Sequence, residues 1–451
     1  MKAYFLVCLV FLGSLGIKAD FTQSPNAQTP PAEVQPGTQE EKAYTSLAEA
    51  LKEPLKVKVL ALHNLDSIPA DIAKLENLTD LTIVRFSKSK LPSVLWTLSK
   101  LKSLRILECP IIELSPEIGK LRNLQALHLM GSQVKSLPTE IGSLKSLETL
   151  DLHANQLNSL PDSICLLGLL SDLGVSDNQL KSLPNQLEKL TLLEAMDLSG
   201  NQLELLPPEI TRLQKLELLD VHHNQLKDLP IGLNKMQSLY TLHAGFNLYS
   251  KLPFDFHSFP KLKMVILDLQ RVPNRQIEQL TNTSSQDLIL VSTGEKFISG
   301  RINIGKVDQP NPAKRSTRVS LLNATERGSR TQGKAYQTIY RLNLFQTNDQ
   351  ITRPVVTRSI KPRYSNRARE NYIQGKVFFH FTFQSNGKTG ELQLDRSLGL
   401  GLDEQAILAL LDIEFEPATK NGTPISVRSR VEFSFYILDE DISNRFRKPL
   451  T

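Results

Sequence analysis

The sequence predicts an α/β solenoid with a parallel sheet on its concave face, followed by a small α+β domain with an antiparallel sheet. Three observations predict it. A 23-residue pattern runs through residues 58–270, where 53 of 213 residues are leucine. A period of two with aromatic residues opens at Val377. Between them, residues 301–370 carry 15 Lys/Arg against four Asp/Glu, a net of +11, so the rest of this +6 chain sums to −5. At 451 residues the chain exceeds one compact core, and ~150 residues per domain suggests two or three units. Three cysteines are too few to staple it, so stability must come from packed core.

The amino terminus reads as an export signal. Met1 and Lys2 precede an apolar run from Ala3 to Ile17, then Lys18-Ala19-Asp20. One positive charge, a short apolar run and a small residue at the cleavage position form the secretory pattern, assigned to residues 1–19. The run is shorter than the ~20 residues a spanning helix needs, with an uncleaved anchor as the competing reading. Residues 20–42, rich in Pro, Gln, Thr and Glu, read as a linker. Cleavage would leave Cys109 and Cys165, which the repeat places on different sides of the coil. They are expected to be small buried hydrophobes rather than a disulfide.

Residues 43–275 are assigned to the solenoid and its caps. One unit reads Leu150-Asp-Leu152-His-Ala-Asn155-Gln-Leu157-Asn-Ser-Leu160-Pro161, followed by Ile164, Leu167 and Leu170. Steps of 23 residues bring Asn178, Asn201, Asn224 and Asn247 into the asparagine slot, and backwards Ser132, Cys109, Phe86 and His63. In Leu-x-Leu the leucines alternate with an outward residue, so a short strand buries one face. The asparagine bonds backbone where the strand turns, and stacking builds a ladder. Cysteine or serine can fill that slot; Phe86 and His63 cannot, so the first repeats are expected to deviate. Each unit leaves an apolar face that only a neighbour covers. This pattern resembles the leucine-rich repeat family, in its 23-residue Leu-Pro-x-x-Ile class. The resemblance implies a curved protein-binding solenoid.

The outward residues nominate the binding surface. One column holds Arg105, His128, Asp151, Asp197, Asp220 and His243; the next holds Val84, Leu107, Met130, His153 and His222. Val84, Leu107 and Met130 form an apolar strip, the better anchor because hot spots favour desolvated apolar groups. Asp197 and Asp220 on neighbouring strands ~4.8 Å apart, with His222 and His243, are divalent-metal ligand types. Aspartate is also the routine filler between the two leucines, and a solvated flat face seldom fixes metal geometry. No metal and no cofactor is assigned.

Residues 276–350 read as cap strands, Leu288–Val291 and Phe297–Ile304, and a basic linker centred on 306–335. Sparse aromatics give bases nothing to stack on, so no nucleic acid is expected. Anionic envelope polymers or lipid head groups suit the charge, and a merely solvated linker suits it also.

In residues 351–440, Val377, Phe379, Phe381 and Phe383 alternate with polar positions, and Ser385-Asn386-Gly387-Lys388 carries hairpin chemistry. Leu392 and Leu394 mark a second strand, Leu402–Leu411 a helix with acidic residues at its positive end, and Val427–Ile437 a long last strand. Several pieces resemble the TonB carboxy-terminal domain family: Pro362-Arg-Tyr364, Gly375-Lys-Val377, Asn386-Gly387, Leu402-Asp403, and Phe415-Glu-Pro417-Ala418 before Asn421-Gly422-Thr-Pro424. Ser365 departs from the family's usual proline. The resemblance implies a periplasmic domain that pairs with an extended peptide of an outer-membrane transporter. The expected free edge is the last strand, with Val427, Arg428, Arg430, Glu432 and Ser434 as contact residues. Residues 441–451 read as a tail.

No phosphate loop, metal-ligand cluster or nucleophile signature is present, so no enzyme is expected. The sequence reading is an exported, periplasmic or envelope-associated adaptor that binds a protein through the solenoid and a peptide or outer-membrane protein through the small domain. A membrane-anchored energy transducer and a secreted host-interaction protein are the alternatives.

Overall fold

A computed structural model describes residues 42–252, 256–269, 271–276, 289–293, 334–343, 351–358, 361–365, 368, 375–399 and 401–439. The expected signal, the linker up to residue 41, most of the basic stretch, the strand expected at Phe297–Ile304 and the tail lie outside the described residues.

Twelve strands stack in parallel: β1 (Ala43–Tyr44), β2 (Val59–His63), β3 (Asp80–Val84), β4 (Ser103–Leu107), β5 (Ala126–Met130), β6 (Thr149–Asp151), β7 (Asp172–Gly174), β8 (Ala195–Asp197), β9 (Leu218–Asp220), β10 (Thr241–Ala244), β11 (Met264–Asp268) and β12 (Ile289–Thr293). Their register steps by 23 residues from β3 to β11, as in Leu81↔Leu104↔Leu127↔Leu150, so each leucine stacks on its equivalent. On the return side, proline fixes the backbone before a five-residue 3₁₀ turn such as Thr139–Ser143. Ile141, Leu144 and Leu147 then point into the core and are fully buried. Cys109 and Cys165 are free and buried.

The asparagine ladder holds the stack together. Asn201 accepts from the Leu180 N–H at 2.9 Å and donates to the carbonyls of Val175, Leu198 and Ser199 at 3.0–3.1 Å. Asn155, Asn178, Asn224 and Asn247 repeat this arrangement. Cys109 fills the slot with sulfur, accepting from the Phe86 N–H at 3.3 Å. The residue before the slot takes a left-handed backbone in successive coils, as at Arg85, Glu108, Ala154, Asp177, His223 and Phe246. Gly200 answers that demand without strain, and a Cβ there would meet Asp177 Oδ1 at 2.4 Å. Helix α1 (Leu47–Ala50), capped by Ser46, closes the first coil with β1.

The second module continues the same sheet. Beyond β12 the strand order is β16 (Thr389–Arg396), β15 (Gly375–Phe383), β20 (Val427–Asp439) and β13 (Lys334–Asn343). Two small sheets pair β14 (Val355–Arg358) with β17 (Glu414–Glu416) and β18 (Ala418–Lys420) with β19 (Thr423–Ile425). β12 pairs in parallel with β16 through Ser292↔Gln393 and Thr293↔Leu394, and the remaining pairs are antiparallel. Gly387 (φ +77°) turns the β15–β16 hairpin. Helix α2 (Leu402–Leu411) buries Leu402, Ala406, Ile407 and Leu410. They join Phe379, Phe381, Phe433 and Phe435 in one core, together with Met264, Ile266 and Val291 from the solenoid's last strands.

Two expectations are corrected here. From Arg430 onward the last strand is not a free edge: β20 lies between β15 and β13, with Arg430, Glu432 and Ser434 opposite Asn343, Arg341 and Ile339. Val427 and Arg428 pair only with β15 among the described residues. The strand covering it starts at Lys334, inside the stretch read as basic linker. Tyr336, Thr338, Ile339 and Tyr340 favour extended backbone, and pairing with β20 satisfies ten residues that lack a helical or amphipathic pattern of their own.

Candidate functional site

The parallel register builds the concave face column by column. Arg105, His128, Asp151, Gly174, Asp197, Asp220, His243 and Ile266 face one another across successive strands. Val84, Leu107 and Met130 line up beside them and form an apolar cluster separate from both cores, each only 5–8% exposed. Arg105 stays partly exposed next to it.

Further along, Asp151 and His153 form a dyad, with Oδ1 2.8 Å from the imidazole Nδ1 and 3.1 Å from the His153 N–H. Burial works against both charges. It is outweighed at Asp151, where His153 holds the carboxyl below its usual range, and at His153, where Asp151 raises the imidazole.

The same motif recurs three repeats later in different surroundings. Asp220 Oδ1 lies 2.6 Å from His222 Nδ1 and accepts the His222 N–H at 3.1 Å. His243 stacks on His222 with ring centres 4.3 Å apart and planes at 14°. Its Nδ1 lies 3.4 Å from Asp220 Oδ2 and 3.8 Å from Asp403 Oδ2. Asp403 belongs to α2. It gathers the loop before the helix by accepting the N–H groups of Leu398 at 2.9 Å and Gly399 at 3.0 Å and the Ser397 hydroxyl. Gly399 (φ +72°) brings that loop onto the solenoid, where its Cβ position is 3.4 Å from His222 Cε1 and 3.7 Å from Asp220 Oδ2. A larger residue would strain the backbone and crowd the imidazole.

The electrostatics follow from this cover. Burial, then Asp220, pushes Asp197 up to about 6, against two bonds from Ser199. Burial, Asp403 and Asp220 push Glu404 up to about 8. Asp220 moves the other way: burial opposes its charge, but His222 and His243 together hold it far below the usual carboxylate range. His243 is raised because Asp220 and Asp403 outweigh the cost of its burial.

Of the residues nominated from sequence, the first seven in chain order, from Val84 to His153, lie on β3–β6 and the turn after β6. Asp197, Asp220, His222 and His243 form a separate group beside the second module. The expectation of an open, solvated face fails for both groups, since every nominated concave-face residue except Arg105 is less than 9% exposed. The second group differs in lying against the second module. Asp403 and Glu404 complete the cluster and were not nominated. Their signal, two acids at a helix start, reads equally well as ordinary helix capping. On β20, the nominated side chains are engaged within the sheet. Lys376 meets Glu432 at 2.8 Å, Ser434 donates to Glu432 at 2.8 Å, and Arg430 lies over the Phe378 ring at 4.5 Å.

Comparison with known proteins agrees with both modules. Residues 113–202 match the model of a leucine-rich repeat region and residues 192–213 a single leucine-rich repeat. Residues 360–437 match the carboxy-terminal domain of the Gram-negative bacterial TonB protein. No curated protein matches the chain. Among solved structures, a leucine-rich-repeat protein of Leptospira interrogans is 25% identical over 56% of this chain and 81% of its own, with a TM-score of 0.45. An internalin of Listeria monocytogenes is 20% identical over 56% of this chain and 72% of its own, with a TM-score of 0.47. The chain thus carries a leucine-rich-repeat region that runs into a carboxy-terminal domain resembling that of TonB.

Proposed function

We propose that this chain is an exported, non-enzymatic adaptor of the cell envelope that takes a protein partner on the amino-terminal half of its concave face. The observation that carries the reading is the Val84–Leu107–Met130 strip, an apolar cluster that belongs to neither core and sits beside partly exposed Arg105. Apolar side chains grouped on an otherwise polar strand face give a partner a desolvated anchor with a polar rim. The other half of the face is taken by the chain's own second module, which directs a partner to β3–β6.

The second module is proposed to meet an extended peptide or an outer-membrane protein by strand addition. With β20 covered on both sides from Arg430 onward, the strand available at that end of the sheet is β13. Contact of the basic stretch with anionic envelope polymers belongs to the same reading.

A photo-cross-linking residue placed at Arg105 in the producing cells tests the first partner. The expected result is a discrete protein adduct that disappears when Leu107→Asp is added. An adduct that survives Leu107→Asp removes the apolar strip as the anchor, and no adduct at all removes the concave-face partner. The intact mass of the protein from its own cells tests export: Asp20–Thr451 supports an exported adaptor, and retention of Met1–Ala19 supports an anchored protein.

A further inference from the structure

The junction between the two modules holds more acid than its hydrogen bonds account for. Asp220, His222 and His243 meet Asp403 of α2, with Asp197 opposite Asp220 on the neighbouring strand and Glu404 following Asp403, and all six are buried. Ligand atoms of Asp220, His222 and His243 lie within 4.8 Å of one another. His243 is fully buried, and neither of its ring nitrogens has a hydrogen-bond partner. Asp197 Oδ2 and Glu404 Oε2 are also buried without one. Each unsatisfied buried polar atom costs roughly 1–3 kcal/mol, and such atoms are uncommon enough that several in one place call for a ligand. The existing contacts fit the same idea. His243 Nδ1 and Asp220 Oδ2 approach to 3.4 Å without forming a hydrogen bond. Two donors bound tetrahedrally at about 2.1 Å from one ion stand ~3.4 Å apart.

We propose that a divalent first-row transition-metal ion binds at this junction between His243 and Asp220, with the unpartnered carboxyls of Asp197 and of Glu404 on α2 turning in to complete its coordination. His222 is a positioning residue: its 2.6 Å contact with Asp220 Oδ1 leaves Oδ2 directed toward His243. Its ring is parallel to that of His243, so the two do not aim at a common point. Asp403 is occupied by Leu398, Gly399 and Ser397 and orients the loop rather than the ion. Mixed imidazole and carboxylate donors suit Zn²⁺ or Mn²⁺. Without the ion, burial and the neighbouring carboxylates push the Glu404 carboxyl up to about 8. With it, one ion bridges both modules.

The test is calorimetric titration of tag-free, chelator-treated full-length protein with Zn²⁺ and with Mn²⁺, beside Glu404→Gln and His243→Gln variants checked by circular dichroism. The expected result is one equivalent of one of these ions per chain, with affinity weakened at least about tenfold in each folded variant. If His243→Gln does not fold, Glu404→Gln decides, since it exchanges a carboxyl for an amide of the same shape. Failure of both ions to bind in a 1:1 ratio, or 1:1 binding undiminished in folded Glu404→Gln, overturns the site.

Discussion

Two places on one sheet carry the same four-residue motif, Leu150-Asp151-Leu152-His153 and Leu219-Asp220-Val221-His222. In both, aspartate Oδ1 bonds the imidazole two residues on, at 2.8 and 2.6 Å. What differs is the neighbourhood. Beside Asp151 the next strand offers Gly174, which has no side chain, and the preceding strand offers His128, whose charge helps to hold the Asp151 carboxyl down. Beside Asp220 the next strand offers His243, and the loop at Gly399 closes over the pair with Asp403 and Glu404 behind it. A motif repeated by the solenoid becomes a six-residue buried cluster only where a distant part of the chain is added. The environment, more than the motif, decides what an Asp-x-His dyad does here.

The comparison is sharpest when one charge is removed from each place. Asp220→Asn leaves two buried imidazoles without their shared carboxylate and should cost about 3–5 kcal/mol in metal-free protein. Asp151→Asn unpairs one imidazole and should cost about 2 kcal/mol. Urea unfolding of the two variants checks the order; equal losses would mean that cover adds nothing.

The covered half also depends on the sheet that carries α2. Arg430 pairs with His380 on one side and Asn343 on the other. Arg430→Pro therefore breaks a central strand, at a cost on the order of 3 kcal/mol. Hydrogen exchange should then rise at Asp220–His243 while Leu127–Leu150 stays protected. Unchanged exchange at both places would show that docking does not rest on β20.

The Asp151–His153 dyad gives a pH signature of its own. His153 is raised, so its contribution is complete below its unfolded value near pH 6.5 and fades as pH climbs through the folded value. Asp151 is lowered, so its contribution is complete above about pH 4 and fades on acidification. The stability gap between the native chain and His153→Gln should be widest between about pH 4 and 6.5, on the order of 2 kcal/mol, and shrink by pH 9. A gap that does not vary with pH contradicts the assignment.

The smallest effect is expected on the apolar strip. Leu107→Asp should cost about 1–2 kcal/mol in stability, because Leu107, although only 8% exposed, packs in a three-residue cluster outside both cores, whereas Leu104→Ala in the core should cost about 2–5 kcal/mol. Thermal denaturation of the two variants checks this.

These contrasts mark what could be read from the sequence. Period-23 spacing placed the leucines, the asparagine ladder and the concave columns, because each coil's contacts repeat those of the last. Helix α2 and the β15–β16 hairpin were legible from local periodicity and Asn386-Gly387. The cover over Asp220 was not, since Asp220 and Asp403 are far apart in the chain and no local pattern links them. The strand at Lys334–Asn343 was missed for the same reason: its partner is β20, and a strand whose basic neighbours dominate the composition shows no period of its own. The left-handed position before each asparagine left only a faint trace, glycine at 131 and 200.

The central claim is that the second module lies on the carboxy-terminal half of the concave face. A Ser199→Cys, Gly399→Cys pair tests it most directly, since Ser199 Oγ lies 4.0 Å from the Cβ position of residue 399. Because His222 crowds that position, the Gly399→Cys single variant is first shown by thermal denaturation to keep native stability. Mild oxidation of the monomer should give an intramolecular disulfide, seen as a loss of two hydrogens in mass and as a peptide joining positions 199 and 399. Thiols that stay free, or that link only between molecules, would contradict the docked arrangement.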